Sequence, residues 1–232
     1  MSTQEPIIAL ENVTKSYHQG ATEVRAVDQL SFEVGAGEFV ALAGPSGSGK
    51  TTTLNLIGAL DVPASGAIKV EGRDISGLSS RALAKLRRDR VGFVFQAYNL
   101  IPVLTAYENA EFVLSLQGAP RAQRRDKVMG MLKAVGLEGM EHRRPDEMSG
   151  GQQQRVAIAR AMVANPALVL ADEPTANLDS ATAESLLSLM EQLNEERGTT
   201  FVFSTHDDRV LARAHRILRM RDGRLQEDER RN

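Results

Sequence analysis

The chain has 232 residues, 42% of them hydrophobic and 25% charged, with a formal net charge of −2 and no cysteine. Its length suits one large domain or a core with a subdomain, and its near-neutral balance gives no electrostatic reason to expect a nucleic-acid partner. The missing cysteine excludes disulfides and cysteine-ligated zinc; the start "MSTQEPIIALENV" is no signal peptide, and no run of about 20 apolar residues exists, so a cytosolic location is expected.

From the N-terminus, "IIALENVTKSY" and "LSFEV" alternate apolar and polar residues and predict an antiparallel β-region. "EFVALAG" is a compact apolar run with the character of a buried strand, followed by a glycine-rich loop and a helix from Lys50 to Leu60. "GAIKVEGRDI" predicts strands turning at Glu71-Gly72, and "VGFVFQ" another buried strand. From Thr105 to Val135 the pattern is helical: Thr105 and Glu108 have capping-box spacing, and Gly136 suits a left-handed stop. "MSGGQQQRVAIARA" opens the next helix in the same way, with Ser149 at the cap and Gln152 three residues on. Gly150 and Gly151 leave the first-turn N–H groups sterically bare, which makes this helix start a ready anion site. "ALVLAD" and "TTFVFSTH" are strand runs with a helix between them from about Ser180 to Arg197. "RILRMRDGRL" closes as a hairpin at Asp222-Gly223, and the charged tail "QEDERRN" is expected to fray.

Strands alternating with helices predict an α/β fold with a mainly parallel sheet. The stretch from about Gln96 to Met148 is helical without strands and reads as an inserted α-helical subdomain. Its arginine clusters "RAQRR" and "HRR", like "RRDR" before it, read as solvated faces.

"GPSGSGKT", Gly44 to Thr51, matches the phosphate-binding pattern G-x-x-x-x-G-K-[ST] in full and lies between a predicted buried strand and a predicted helix. The glycines let backbone N–H groups wrap phosphates, Lys50 brings charge to the β- and γ-phosphates, and the Thr51 hydroxyl can ligate Mg²⁺. In "LVLADEP", Asp172 ends a strand at the usual seat of the second metal-binding carboxylate. Glu173 follows directly, so one carboxylate can hold metal while the other polarises the attacking water. Three further positions read two ways by themselves. Gln96 is either a strand-end polar residue or a group reaching Mg²⁺ and water. His206 is either solvated or part of the site, and Tyr17 either a core aromatic or a stacking surface for adenine.

Taken in order, Tyr17, "GPSGSGKT", Gln96, "MSGGQ", "LVLADEP", "NLD" and His206 closely resemble the nucleotide-binding subunit of ABC transporters over essentially the whole chain. The resemblance implies a P-loop NTPase core with an N-terminal antiparallel β-subdomain and an inserted helical subdomain, all within one ATP-binding domain, 1–232. The core and β-subdomain take about 1–95 and 168–232; the helical subdomain, carrying the signature motif, takes about 97–165. It further implies that Tyr17 stacks on adenine and that Gly44, Pro45, Ser46, Gly47, Ser48 and Gly49 wrap phosphate. Lys50 binds the β- and γ-phosphates, and Thr52 is a further nucleotide-binding position. Thr51 and Asp172 hold Mg²⁺, and Gln96 senses the metal, the water and a membrane partner. Glu173 is the general base, His206 contacts the γ-phosphate, and Asp179 crosses a dimer interface. Ser149, Gly150, Gly151 and Gln152 bind the γ-phosphate held by a second copy of the chain. The implied partners are therefore that copy and integral membrane permease subunits docking near Gln96–Tyr107, with Tyr98, Leu100, Leu104 and Tyr107 as apolar anchors. The implied location is the cytoplasmic face of the cell membrane.

"GALDVPASG", "LRRDRVGFVFQAYNLIPVLTAYENAEF" and "ADEPTANLD" look most like the lipoprotein-release and macrolide-export branch, whose cargo spans lipoprotein, lipid, peptide and drug. Cell-division and peptide-resistance relatives, which transmit force or signal, share much of the pattern. Soluble ABC ATPases acting on DNA interrupt the domain with long coiled coils or zinc modules; the stretch between Gln96 and Ser149 is too short for the first, and the missing cysteine excludes cysteine-ligated zinc.

Overall fold

The computed structural model describes residues 5–20 and 22–231. The first four residues, Ala21 and the last residue of the "QEDERRN" tail lie outside the described residues. The chain opens with β1 (Ile8–Gln19) and β2 (Thr22–Val34), paired antiparallel as their alternation predicts. Then come β3 (Phe39–Ala43), the glycine loop and α1 (Lys50–Ile57). β4 (Ser65–Val70) and β5 (Arg73–Asp74) turn at Glu71-Gly72 and complete a four-stranded antiparallel sheet in the order β2-β1-β4-β5.

After α2 (Ser80–Arg90) and β6 (Val91–Val94) the chain makes three α-helices before its next strand: α3 (Ala106–Leu116), α4 (Arg121–Ala134) and α5 (Gly150–Met162), the last preceded by a 3-10 turn at Pro145–Glu147. β7 (Leu168–Asp172), α6 (Ser180–Arg197), β8 (Thr200–Thr205), α7 (Asp208–Arg213), β9 (Arg216–Arg221) and β10 (Arg224–Arg230) follow. The second sheet has the order β10-β9-β3-β8-β7-β6 and is parallel except for β10.

The buried strands sort their side chains by the period of two. Phe201 and Phe203 of β8 face a core shared with the helices, whereas Val202 between them faces the core shared with the antiparallel sheet. β3 divides likewise, Phe39 to the first side and Val40 and Leu42 to the second. Such strands are covered on both faces and therefore read as continuous apolar runs. Their carboxyl ends leave the sheet at one edge, where ligands of open α/β sheets bind.

Four local expectations change. α1 ends at Ile57 rather than Leu60. The helical stretch 105–135 is two helices, broken at Gly118-Ala119-Pro120 because proline bars the preceding residue from helical geometry. α2 had no predicted counterpart: only Leu83 and Leu86 are buried, and the arginines around them hide the apolar period. The tail is ordered as β10 through Arg230, where Arg216 takes both oxygens of Asp228 at 2.7 Å and holds the strand to the sheet.

Candidate active site

The glycine loop leaves the end of β3 and runs into α1. Gly49, the residue before the helix, sits at φ 98°, where a Cβ would lie 2.3 Å from the Ala26 carbonyl, so no larger residue fits. Lys50 is buried, and its ammonium donates to the carbonyls of Gly44 at 2.7 Å and Pro45 at 3.0 Å. The charge is thereby folded back along the loop it serves. The Ser48 hydroxyl is buried without a partner among the described residues.

Thr51, in the first turn of α1, donates its hydroxyl to Asp172 at the end of β7 at 3.0 Å, so the two expected metal ligands already meet. Glu173 follows at φ 45°, a left-handed conformation that a non-glycine residue adopts only when its surroundings impose it. Here its N–H donates to Ser204 of β8 at 2.9 Å and its carbonyl accepts from the N–H of Ala176. Its carboxylate lies 2.7 Å from Nδ1 of His206, just beyond the end of β8. Three strand ends thus bring Lys50, Asp172, Glu173 and His206 together.

Tyr17 lies at the rim of the same cleft, half-exposed, with its hydroxyl donating to Asp61 at 2.8 Å. Lys15 holds the other carboxylate oxygen at 2.6 Å and stands 5.2 Å from the tyrosine ring centroid. Burial and the neighbouring Asp61 push the Tyr17 phenol up from its ordinary value. Burial pulls the Asp61 carboxyl up, but the Lys15 and Tyr17 hydrogen bonds outweigh it and hold it low. The cleft encloses about 520 Å³ and is lined by Tyr17, Lys50, Thr51, Thr52, Gln96, Glu173 and His206 together with the loop from Ser46 to Gly49.

Ser149, Gly150, Gly151 and Gln152 are not among the residues lining this cleft. The expected capping box is present: Gln152 accepts from the Ser149 N–H at 2.9 Å, and the Ser149 hydroxyl accepts from the Gln152 N–H at 3.3 Å. The glycines have a reason beyond bare N–H groups. A Cβ on Gly150 would meet the Tyr98 hydroxyl at 2.8 Å, and one on Gly151 would meet Thr182 Cγ2 at 2.4 Å. Asp179 also lies outside the cleft and caps α6, accepting from the N–H and the hydroxyl of Thr182.

Sequence reasoning missed the residues that brace Glu173 and His206. The buried Thr175 donates its hydroxyl to Asp207 at 2.7 Å, and Asp207 is in turn gripped by Arg209. Gln154, fully buried, donates to the Pro174 carbonyl at 2.8 Å. The only sequence signal for either is the capping position of Asp207 ahead of α7.

The expected apolar anchors are not freely exposed. Tyr98, Leu100, Leu104 and Tyr107 are half-buried; Leu100 and Tyr107 pack on the helical core because they sit where the chain enters α3. Leu60, Phe112 and Leu116, 47%, 42% and 55% exposed, face a groove of about 380 Å³ floored by Phe93 and Phe95. Phe95 immediately precedes Gln96, so groove and cleft meet at the end of β6.

The family model described as ABC transporter matches residues 27–176. Over 223 residues the chain is 46% identical to the macrolide export ATP-binding/permease protein MacB of Hyphomonas neptunium, covering 96% of this chain and 34% of that protein. It thus spans about a third of that relative's length. It is also 46% identical over 225 residues to an uncharacterized ABC transporter ATP-binding protein of Thermotoga maritima, covering 97% of this chain and 96% of that one. Among solved structures, the dimeric post-hydrolysis state of the ATP-binding cassette MJ0796 bound to ADP and Pi matches with a TM-score of 0.90 at 43% identity, covering 97% of this chain and 99% of that one. The cbiO1 structure from Clostridium perfringens, part of the transporter complex cbiONQ, matches with a TM-score of 0.89 at 28% identity, covering 98% of this chain and 89% of that one.

Proposed function

The chain belongs to the ABC transporter family, and from that premise we propose that it is the ATP-hydrolysing subunit of a membrane ABC complex. The observation that carries the reading is that Lys50, Thr51, Glu173 and His206 line one cleft beside Tyr17, with Asp172 bonded to Thr51 from behind it.

In this reading Tyr17 stacks on adenine, its ring held by Asp61 and Lys15. Backbone N–H groups from Gly44 to Gly49 surround the phosphates, and Lys50 turns from its own carbonyls to the β- and γ-phosphates. The oxygens of Thr51 and Asp172 are hard donors of the kind Mg²⁺ takes alongside waters and substrate phosphates, so the pair fits that ion, with Gln96 nearby. When bound, Mg²⁺ would offset the charge on the phosphate oxygens. Glu173 takes a proton from water as the water oxygen bonds to the γ-phosphorus and the bond to the bridging oxygen breaks, releasing ADP and phosphate. His206 holds the carboxylate through Nδ1 and lies beside the γ-phosphate.

The start of α5 lies outside its own chain's cleft, and the relative MJ0796 is dimeric, which supports a second copy as the partner of Ser149 to Gln152 and Asp179. Among the described residues no helix is long and apolar enough to cross a membrane. In this reading membrane-spanning permease partners seat in the groove of Phe112 and Leu116 and complete the complex at the cytoplasmic face. Glu173→Gln tests the reading. ATP affinity should stay within a few-fold, hydrolysis should fall at least about a hundredfold, the low end for general-base catalysis, and an ATP-bound dimer should accumulate on gel filtration. Wild-type turnover in this variant would remove Glu173 from the mechanism.

A further inference from the structure

The three glutamines that open α5 go three ways. Gln152 closes the capping box, Gln153 donates back to the Met148 carbonyl at 3.1 Å, and only Gln154 leaves the helix, donating to the Pro174 carbonyl at 2.8 Å. Gln154 is 0% exposed, and its Oε1 is buried without a hydrogen-bond partner among the described residues. A buried amide with one end unpaired costs desolvation free energy that an apolar side chain of the same shape would avoid. The bond it does make therefore needs a reason.

Pro174 directly follows Glu173, the residue held at φ 45°. Proline offers no N–H of its own, so its carbonyl is the handle by which this turn can be held. The turn is fixed from two sides: β8 takes the Glu173 N–H through Ser204, and α5 takes the Pro174 carbonyl through Gln154. The same helix begins at Ser149. We propose that Gln154 is a positioning residue: it sets the aim of the Glu173 carboxylate and ties it to the helix whose start contacts the partner copy's nucleotide. This rests on the reading of Glu173 as the base.

Gln154→Met keeps the bulk and removes the donor. Steady-state hydrolysis by the full chain should show kcat down at least about tenfold with KM and ATP affinity within about twofold, since small displacements of an aligned group cost up to about a hundredfold. Adding Gln154→Met to Glu173→Gln should lower the residual rate less than about twofold, because a residue that acts only through the carboxylate has nothing left to aim. Gln154→Glu supplies a second variant. Its carboxylate opposes the Pro174 carbonyl, but its protonated form donates, so its activity relative to wild type should rise as pH falls. A Gln154→Met kcat near wild type overturns the proposal, as does an equal fold-loss in both backgrounds or a KM rising in step with the lost kcat. Failure of both variants to fold also overturns it and gives Gln154 a structural role. If Glu173→Gln itself turns over at the wild-type rate, the assignment of the base falls and the proposal falls with it.

Discussion

Asp207 shows what one side chain at the edge of the site can organise. Its oxygens accept from Arg209 Nη2 at 2.7 Å and from the hydroxyl of Thr175 at 2.7 Å, and it caps α7 through the Arg209 N–H at 2.9 Å. The Arg209 guanidinium is the main reason its carboxyl is held down at about 2 from an ordinary 3.8, against the opposing effect of burial, with Thr175 adding to the depression. A folded-state value below the unfolded one means that the ionised form stabilises the fold. That contribution is complete above about pH 4 and disappears as pH falls through about 2. Asp207→Asn should therefore melt below wild type at neutral pH, and thermal melts taken between pH 4 and pH 2 should show the gap closing. A gap that stays constant over that range would show that the charge is not what matters. Thr175 follows Glu173 by two residues and Asp207 follows His206 directly, so their bond links the two segments, yet neither is a residue type that phosphate chemistry calls for. Asp172, Glu173 and Lys50 were legible because phosphate chemistry demands those residue types at fixed spacing. Thr175, Asp207 and Gln154 were not, since each is defined by a partner on another strand or helix.

At the scale of elements, boundaries were legible where capping chemistry marks them. α6 runs from Ser180 to Arg197 as expected, because Asp179 caps its start and Gly198 takes the left-handed conformation at its end. Thr105 with Glu108 and Ser149 with Gln152 both form the expected capping boxes. α2 escaped because burial of two leucines among arginines leaves too faint a period, and the tail strand because its backbone ladder with β9 is accompanied by ion pairs rather than by apolar alternation. The signature glycines were read as bare N–H groups, but their packing is a second constraint that only the fold reveals. Gly151→Ala would drive a methyl against Cγ2 of Thr182, a β-branched side chain with little freedom to move, at a cost of roughly 1–3 kcal/mol for overpacking. The better helix propensity of alanine offsets at most about 1 kcal/mol of this. We expect Gly151→Ala to lower the melting temperature and Thr182→Ser to restore most of it. Serine removes the obstructing methyl while keeping the hydroxyl that donates to Asp179 at 2.6 Å. A Gly151→Ala variant as stable as wild type would mean that α5 and α6 separate freely at this point.

For the whole molecule, the proposed function assigns cleft, signature helix and groove to three different occupants. If the start of α5 serves a second copy, Ser149→Arg should leave ATP binding by the monomer intact and abolish ATP-dependent dimerisation, measured by light scattering with and without nucleotide. Hydrolysis at the wild-type rate across protein concentrations would place the signature in its own chain's site. The groove is the third face. Exposed Phe112 and Leu116 on α3 and Leu60 beyond α1 form an apolar patch beside Arg88 and Asp89, the composition expected of a seat for an amphipathic helix with a polar rim. The route inward is short. Phe95 lines the groove and Gln96 lines the cleft, while Arg160 of α5, also at the groove, donates to the carbonyls of Tyr98 at 2.9 Å and Asn99 at 2.5 Å. A helix seated there would press on the segment carrying Gln96 and on α5 together. A few apolar anchors typically carry most of such binding energy. Phe112→Glu with Leu116→Glu should therefore leave the fold, ATP affinity and hydrolysis by the isolated chain unchanged. Co-purification with the membrane permease partner, and the stimulation of hydrolysis by that partner, should both be lost. Polar replacements at Leu100 and Tyr107 should instead lower the melting temperature, since these residues pack on the helical core. Capture of the membrane subunit by the Phe112/Leu116 double variant, together with its loss in correctly folded Leu100 or Tyr107 variants, would move the docking surface back toward the start of α3.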